Sequence, residues 1–428
     1  MNVPPRSLRA VALLLCLAFL PSGGAAAAKE KDEKKQGSGL GQVVATKLLR
    51  ANELMAEEKY DAALEIVDRL AKRRRLKPVE AAQIHRFRGY IYVNKGMTEQ
   101  AAEELQKALD AKGLDPQSEQ LTTYSLAQLY TQIGQYERAL GLIETWFATA
   151  EDPKPDAYYL KAMILVQQDK FEEALEPART AIEKSPKPKE SWLQLLAAIY
   201  IQTKDYPNVA ATLERLVEMA PGNKKYWVQL AAVQHFLERD ARALATLELA
   251  DTAELLKDDK EYRQLARLLF LRELPYQCAR SVEEGIAGGE VEPDADAYRL
   301  MANCYIASRE TEKALEPLAK AGELSADGEM YMLLAQIHLQ KERYGPALEA
   351  LDKALAKAKP EQRGPVRLLM GVAQIGEERF DDAERSFRAA SGDERVRKAA
   401  ESYLAYLEEQ RARDSQQSSA AEHTASGG

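Results

Sequence analysis

Apolar and polar positions along most of the chain follow the period of an amphipathic helix. Segments such as Leu126-Ala127-Gln-Leu129-Tyr130 bring apolar side chains together at i, i+3 and i+4, the spacing that places them on one helix face. Short turns with Gly, Asp or an aromatic residue separate these segments, as at Gly134-Gln-Tyr136. The pattern predicts an all-α protein built from many short helices.

A small residue followed twelve positions later by Ala, Val or Cys recurs ten times. In every copy an apolar or Ala residue lies four positions after the second member, and successive copies are 33 to 38 residues apart. This period indicates a repeat of two antiparallel helices, whose backbones approach closely at the small pair. The pairs are Ala51/Ala63, Gly89/Ala101, Ala127/Ala139, Ala162/Ala174, Ala197/Val209, Ala231/Ala243, Ala266/Cys278, Ala302/Ala314, Ala335/Ala347 and Gly371/Ala383.

The boundaries of the array follow from composition. The sequence predicts one continuous array over residues 42–392 and a capping helix over 393–411 that covers its last repeat. The charged segment 29–41 and the Ser-, Gln- and Ala-rich tail 412–428 have few apolar residues to bury. Residues 29–41 are therefore expected to be a flexible linker and residues 412–428 a disordered tail.

The N-terminus has the pattern of a secretory signal peptide. Arg6 and Arg9 precede an 11-residue apolar run over 10–20, and small residues follow to Ala28. Eleven residues are too few to span a bilayer, which needs about 20, so 1–28 is predicted to be cleaved. Cys16 offers a lipid anchor as a minor alternative, but it lies inside the apolar run and follows Leu15.

The charge balance narrows the class of partner. The chain has 59 basic and 67 acidic residues, a net charge of −8, and removal of Arg6 and Arg9 with the signal segment leaves 57 against 67, or −10. Nucleic-acid binding requires clustered excess Lys and Arg, so no nucleic-acid partner is expected. No later segment is apolar enough to predict stable membrane insertion of the mature chain.

Catalytic and metal-binding patterns are not found. The histidines His85, His235, His338 and His423 occupy unrelated repeat positions, and no HExxH, GxSxG, Walker or CxxC motif occurs. We therefore predict no catalytic residue, no metal and no cofactor, and a protein that is not an enzyme. An enzyme with a site hidden in the repeat array is the competing hypothesis, and it requires acids or histidines that converge on one surface.

Two cysteines remain after the signal segment, Cys278 and Cys304, on helices expected to be neighbours. An extracytoplasmic compartment allows a disulfide between them, whereas two separate buried thiols would equally fill positions that hold Ala in other repeats. The repeat pattern favours the thiols. The run Arg73-Arg74-Arg75 is interpreted as a solvated turn that caps the preceding helix.

The repeat resembles the tetratricopeptide family, whose pattern is W-x2-L-G-x2-Y, then A-x3-F, then P. Trp227-Val-Gln-Leu230-Ala231 and Leu126-Ala127-Gln-Leu-Tyr130 fit its first half, and Pro186 and Pro221 fall at its terminal proline. The resemblance implies a right-handed α-solenoid of about ten helix-turn-helix units, with a concave face that is lined by first helices and binds protein segments.

In that family, residues three before and one after the small residue face the groove. One set of these positions suggests an aromatic groove for an extended or helical peptide, and another suggests an Arg/Asn cluster for carboxylates. The first set is Arg86, Tyr90, Tyr124, Gln128, Tyr159 and Met163, and the second is Arg263, Arg267, Arg299 and Asn303.

Within the family, the chain resembles the secreted proteins that accompany TonB/ExbB/ExbD-type energy transduction in Gram-negative bacteria. The phrases Ile143-Glu-Thr-Trp-Phe-Ala148 and Leu274-Pro-Tyr-Gln-Cys278 carry this likeness. It implies a periplasmic scaffold that binds a peptide or domain of a cell-envelope complex. The alternative is an assembly factor for envelope secretion, polysaccharide export or motility machinery.

Overall fold

The structure, a computed structural model, describes residues 39–425, with side chains described through residue 413. The predicted signal peptide and residues 29–38 of the predicted linker lie outside this range. Within it the chain forms 21 α-helices and no strand, which confirms the all-α prediction. None of the helices in this part of the chain is long and apolar enough to cross a membrane.

Ten helix pairs and one final helix make up the described chain. The first helices of the pairs are α1 (Gln42–Ala56), α3 (Pro78–Asn94), α5 (Pro116–Gln132), α7 (Pro155–Gln167), α9 (Glu190–Gln202), α11 (Lys224–Phe236), α13 (Asp259–Leu271), α15 (Ala295–Ala307), α17 (Glu329–Gln340) and α19 (Pro360–Gly376). The second helices are α2 (Tyr60–Ala71), α4 (Thr98–Asp110), α6 (Tyr136–Thr149), α8 (Phe171–Glu183), α10 (Tyr206–Met219), α12 (Asp240–Thr252), α14 (Pro275–Gly288), α16 (Thr311–Leu324), α18 (Tyr344–Lys357) and α20 (Phe380–Ala390).

The final helix, α21 (Arg397–Ala425), follows the tenth pair. It extends 14 residues beyond the end predicted at residue 411. Its sequence contains no Gly or Pro before Gly427, so nothing in the predicted tail interrupts the backbone hydrogen bonds of the helix.

The helix pairs fall into two compact units, which divide after Pro221. Helices α1 to α10 belong to the first unit and α11 to α21 to the second. The sequence pattern predicts one continuous array, because the repeat period continues across this point. The division coincides with the Pro221-Gly222 turn, where proline has no backbone N–H to extend the preceding helix.

The small residues bring paired helices into close contact. Ala127 and Ala139 are both fully buried. At Gly89, an added Cβ would lie 2.4 Å from Cδ2 of Leu105, and at Gly371 it would lie 2.5 Å from the ring of Phe387. Leu105 and Phe387 are the apolar residues sixteen positions after these glycines, so the predicted register of the repeat is the one that packs the core.

All ten turns within the pairs close in the same way. The residue seven positions after the small residue has a positive φ of 54° to 75°, and in eight of the ten repeats it is not glycine. In each turn the next amide donates to the carbonyl five residues earlier, as from Gln135 to Tyr130 at 2.8 Å. This pair of features is the Schellman closure of a helix C-terminus, and it fixes the direction of every second helix.

A disulfide joins α14 to α15. Cys278 and Cys304 are both fully buried, their sulfur atoms are 2.04 Å apart, and their Cα atoms are 5.9 Å apart. The structure thus contains the bridge, whereas the repeat pattern favoured two separate thiols. The bond links the second helix of the seventh repeat to the first helix of the eighth, inside the second compact unit.

Candidate peptide-binding surface

Three of the groove positions inferred from sequence come together in the first unit. Tyr90 on α3, Tyr124 on α5 and Met163 on α7 are each half-buried. All three pack against the same hydrophobic cluster, which includes Leu126 and Ala127. Successive first helices therefore present a row of partly exposed large side chains on a fixed core, and Gln128, also half-buried, lies on α5 one turn from Tyr124.

Arg86 is held at one end of this row. Its Nη1 donates to Oγ of Ser118 at 2.8 Å and to Oε1 of Gln83 at 3.1 Å. The guanidinium also lies 5.7 Å from the centroid of the Tyr90 ring, within the range of a cation–π contact. Arg86 thus links α3 to α5 and fixes the Tyr90 ring beside it.

A continuous chain of aromatic rings extends the row beyond the residues that the sequence pattern singled out. Tyr124 lies 5.1 Å from Trp146, Trp146 lies 5.3 Å from Phe147, and Phe147 lies 4.9 Å from Tyr158, measured between ring centroids. Burial, with the nearby carboxylate of Asp156, raises the pKa of the Tyr124 phenol to about 12. These contacts hold the rings in fixed positions at 4.5–7 Å, the spacing of favourable aromatic pairs.

Two lysines border this aromatic chain. The Nζ of Lys161 lies 5.6 Å from the Phe147 centroid, and the Nζ of Lys184 lies 5.9 Å from the Tyr158 centroid. The sequence signal for the extension was the Trp146-Phe147 dipeptide near the end of α6. The groove positions expected from the family pattern lie only on first helices, so that pattern missed Trp146 and Phe147.

Tyr159 does not belong to the exposed row. The residue is 8% exposed, and its ring stacks on Trp192 with centroids 5.4 Å apart and planes inclined by 21°. The expectation that Tyr159 faces a ligand is corrected here, because the first helix of the following repeat covers it. Its role is to pack α7 against α9.

The expectation that Arg263 in the second unit faces a ligand is also corrected. Its side chain is only 11% exposed, its Nε donates to both carboxylate oxygens of Asp259 at 2.7 and 2.8 Å, and its Nη1 donates to Asp294 at 3.1 Å. Burial would lower the pKa of Arg263, but Asp294 and Asp259 raise it above its ordinary value. The guanidinium is neutralised within the chain and is not presented to a carboxylate of a partner.

The other members of that set are more accessible. Arg267 and Asn303 are exposed. Arg299 is half-buried, and its Nη2 lies 3.4 Å from Asp296 on its own helix. Of the four residues expected to form the Arg/Asn cluster, Arg267 and Asn303 are therefore the two that are exposed.

The second unit also contains an open cleft of about 520 Å³ between α12, α13 and α14. Its walls carry four carboxylates and one arginine, and Arg280 donates to Glu283 at 3.1 Å and pairs with Glu284. Among the described residues, no group of three or more His, Cys, Asp and Glu side chains is arranged to hold a metal ion. The carboxylates lining the cleft are Glu248, Asp251, Glu284 and Glu290.

Two protein-family models match parts of the chain. Residues 56–181 match the family described as anaphase-promoting complex, cyclosome, subunit 3, and residues 300–362 match the family described as tetratricopeptide repeat. The second match supports the tetratricopeptide resemblance of the repeats over residues 300–362. The second match covers the chain from α15 to the start of α19, and the first covers repeats that contain the aromatic row.

Several solved structures show similarity to the chain at low sequence identity. A tetratricopeptide repeat protein from Parabacteroides merdae is 18% identical over 70% of this chain and 100% of that chain, with a TM-score of 0.37. MamA from Desulfovibrio magneticus is 18% identical over 43% of this chain and 98% of that chain, with a TM-score of 0.36. YrrB, described as a protein with an unusual peptide-binding site, is 16% identical over 40% and 84%, with a TM-score of 0.34. No curated protein matches the chain.

Proposed function

We propose that this protein is a non-catalytic scaffold that binds a segment of a partner protein on the first-helix face of its first compact unit. Tetratricopeptide repeat proteins bind protein partners, and this unit carries the row formed by Tyr90, Tyr124, Gln128 and Met163. The observation that carries the proposal is the half-buried state of these side chains on a shared core.

The chemistry of the row fits an amphipathic peptide. Tyrosine offers a large apolar face and a polar hydroxyl at a low cost in side-chain entropy. Contacts with Arg86 and Trp146 already fix the rings, so binding immobilises few additional groups. Apolar side chains of the partner would lie between the rings, and the lysines that border the aromatic chain would attract acidic groups at its edge.

We further propose that the partner is a peptide or domain of a cell-envelope complex and that the mature protein is periplasmic. The support is the signal-peptide pattern over 1–28 and the likeness of phrases such as Ile143-Glu-Thr-Trp-Phe-Ala148 to secreted proteins of TonB-type systems. A TonB-type energy-transduction machine is therefore our first candidate. An assembly factor for secretion, polysaccharide export or motility machinery is the alternative.

Chemical crosslinking in intact cells, followed by affinity isolation and mass spectrometry of the tagged protein, tests this function. We expect envelope proteins to be recovered, and their identity distinguishes a TonB-type machine from a secretion, export or motility machine. Recovery of cytosolic proteins alone would contradict the proposed location.

The surface itself is tested with the partner recovered in that way. The double variant Tyr124→Ala, Met163→Ala should weaken its binding roughly tenfold, because large side chains at the centre of an interface contribute most of the affinity. Tyr276→Ala is the matched control, since Tyr276 is exposed and lies on α14 in the second unit. Equal affinity of the double variant and the control would exclude the row as the binding surface.

A further inference from the structure

The turn between α2 and α3 carries a dense group of positive charge. Five of the six residues from 72 to 77 are basic, and all five are exposed. We define this basic turn by its members, Lys72, Arg73, Arg74, Arg75 and Lys77. The chain as a whole has a net charge of −8, so the basic turn is a local reversal of the prevailing charge.

No member of the basic turn forms an ion pair within residues 39–413, where the side chains are described. Other cations of the same repeat do so, as Arg50 with Glu53 at 2.7 Å and Lys59 with Glu57 at 2.7 Å. The one side-chain hydrogen bond of the turn is from Nζ of Lys77 to the carbonyl oxygen of Gly39 at 3.4 Å, and the charges of Lys77 and Arg73 also act on the carboxylate of Glu80 in the following helix. The positive charge of the turn is therefore not neutralised by its own repeat.

The two acidic residues that flank the turn in sequence, Asp68 and Glu80, are already engaged. Glu80 is buried and accepts hydrogen bonds from the backbone amides of Lys77 at 3.0 Å and Gly41 at 3.1 Å. Asp68 lies 2.9 Å from Nε of Arg88. Rearrangement of these acids toward the basic turn would break contacts that hold α2, α3 and the N-terminal segment together, so the turn stays free for an external anion.

The backbone of the turn is held in place on both sides. Leu76 is half-buried and packs against the core cluster of the first repeat. Pro78 begins α3, and the backbone at Gly113 lies so close that an added Cβ would be 2.3 Å from the Pro78 carbonyl. The arginines therefore project from a fixed support, which lowers the entropic cost of binding.

We propose that the basic turn is a second docking site, for an acidic segment of a protein partner. Guanidinium groups bind carboxylates in a bidentate manner, and three consecutive arginines match a short run of Asp or Glu side chains. A membrane fits less well, because the acidic remainder of the chain would be repelled by an extended anionic surface. The site lies on a turn rather than on the first-helix row, so its test is independent of the function proposed above.

The test uses the purified protein and a fluorescein-labelled peptide of ten glutamates, with binding followed by fluorescence anisotropy. We expect Arg73→Glu, Arg74→Glu, Arg75→Glu to weaken binding about tenfold or more at low salt. An increase from about 50 mM to about 300 mM NaCl should weaken binding to the unmodified protein, because salt screens exposed charges.

The matched control is Lys225→Glu, Arg239→Glu, Arg242→Glu, which produces the same change in net charge. These three cations are exposed, belong to the second unit and form no ion pair among the described residues. We expect the control to bind the peptide nearly as well as the unmodified protein. Equal losses in the two triple variants would show an effect of net charge alone and overturn the site, as would the lack of binding at low salt.

Vesicles of phosphatidylglycerol separate the two kinds of anionic partner. We expect the unmodified protein and the Arg73, Arg74, Arg75 triple variant to bind these vesicles to the same extent. Vesicle binding by the unmodified protein that the triple variant loses would overturn the assignment to a protein. Unchanged thermal unfolding by circular dichroism would show that the reversed charges leave the fold intact.

Discussion

Glycine at the small position of the second repeat makes the packing of the helix pair directly testable. Gly89 on α3 and Gly141 on α6 are both inside helices of the first unit. An added Cβ at Gly89 would lie 2.4 Å from Cδ2 and 2.8 Å from Cγ of Leu105, whereas nothing lies within 4 Å at Gly141. The same substitution to alanine therefore meets a buried side chain at one position and open space at the other.

The two substitutions should change stability in opposite directions. Replacement of glycine by alanine inside a helix gains about 0.5–1 kcal/mol, so Gly141→Ala should stabilise the first unit by about that amount. At Gly89 the gain is offset by overpacking, which costs about 1–3 kcal/mol in a well-packed core. Because the helix-propensity gain is common to both variants, their free energies of unfolding should differ by about 1–3 kcal/mol.

Urea unfolding monitored by circular dichroism at 222 nm measures this difference. Addition of Leu105→Val to Gly89→Ala should recover part of the loss, since Leu105 is fully buried and valine lacks Cδ2, the closer of the two colliding atoms. If Gly89→Ala stabilised the protein as much as Gly141→Ala, the close approach of α3 and α4 at the small pair would be refuted.

Three further predictions concern the bridge, an acid-sensitive network and Arg263. The mature protein, from which the predicted signal segment with Cys16 is removed, should show no reactive thiol after unfolding without reductant, and a count of two would contradict the bridge between Cys278 and Cys304. Reduction should lower the free energy of unfolding of the second unit by about 3.5 kcal/mol, from the closure entropy of a loop spanning a 26-residue separation. Burial would raise the pKa of Glu104, but hydrogen bonds from His85 and Lys107 and the charge of Arg88 lower it to about 2. The ionised form thus stabilises the fold above the ordinary pKa of 4.5, and this contribution should be lost as the pH falls from 4.5 toward 2. Glu104→Gln should reduce the pH dependence of the free energy of unfolding in this interval, whereas the variant Glu103→Gln at the exposed neighbouring residue should retain it. The same pH dependence in both variants would refute the stabilising contacts of Glu104 with His85, Lys107 and Arg88. Arg263→Leu should destabilise the second unit because Asp259 and Asp294 lose their partner, with Arg267→Leu as the exposed control, and equal unfolding midpoints would contradict the internal pairing.

The repeat architecture could be predicted because it depends on the spacing of small and apolar residues within each repeat. Small residues twelve positions apart must meet when two helices pack antiparallel, so pairs such as Ala127 and Ala139 defined the register before the structure was known. The conformation of the turns could not be predicted as fully. Gly96 and Gly134 signal a left-handed residue, but the equivalent position in eight repeats holds a charged residue, such as Glu238 with φ of 57°.

The candidate sites were less accessible to prediction because neighbouring repeats decide which side chains stay exposed. Tyr159 and Tyr124 occupy the same repeat position, three residues before the small residue. Trp192 from the following repeat nevertheless covers Tyr159, whereas Tyr124 stays half-buried. Arg263 has Asp259 four residues earlier on its own helix, a spacing that favours an ion pair. Its second partner, Asp294, comes from the following repeat, which no local pattern reveals.

Site-specific photo-crosslinking in intact cells tests the central claim most directly. A benzophenone amino acid is placed at Gln128, on the first-helix row of α5, and at Glu137, which is exposed on the second helix of the same repeat. We predict that an envelope protein is captured from position 128 and not from position 137. Capture of the same partner equally from both positions, or from position 137 alone, would contradict binding on the first-helix row.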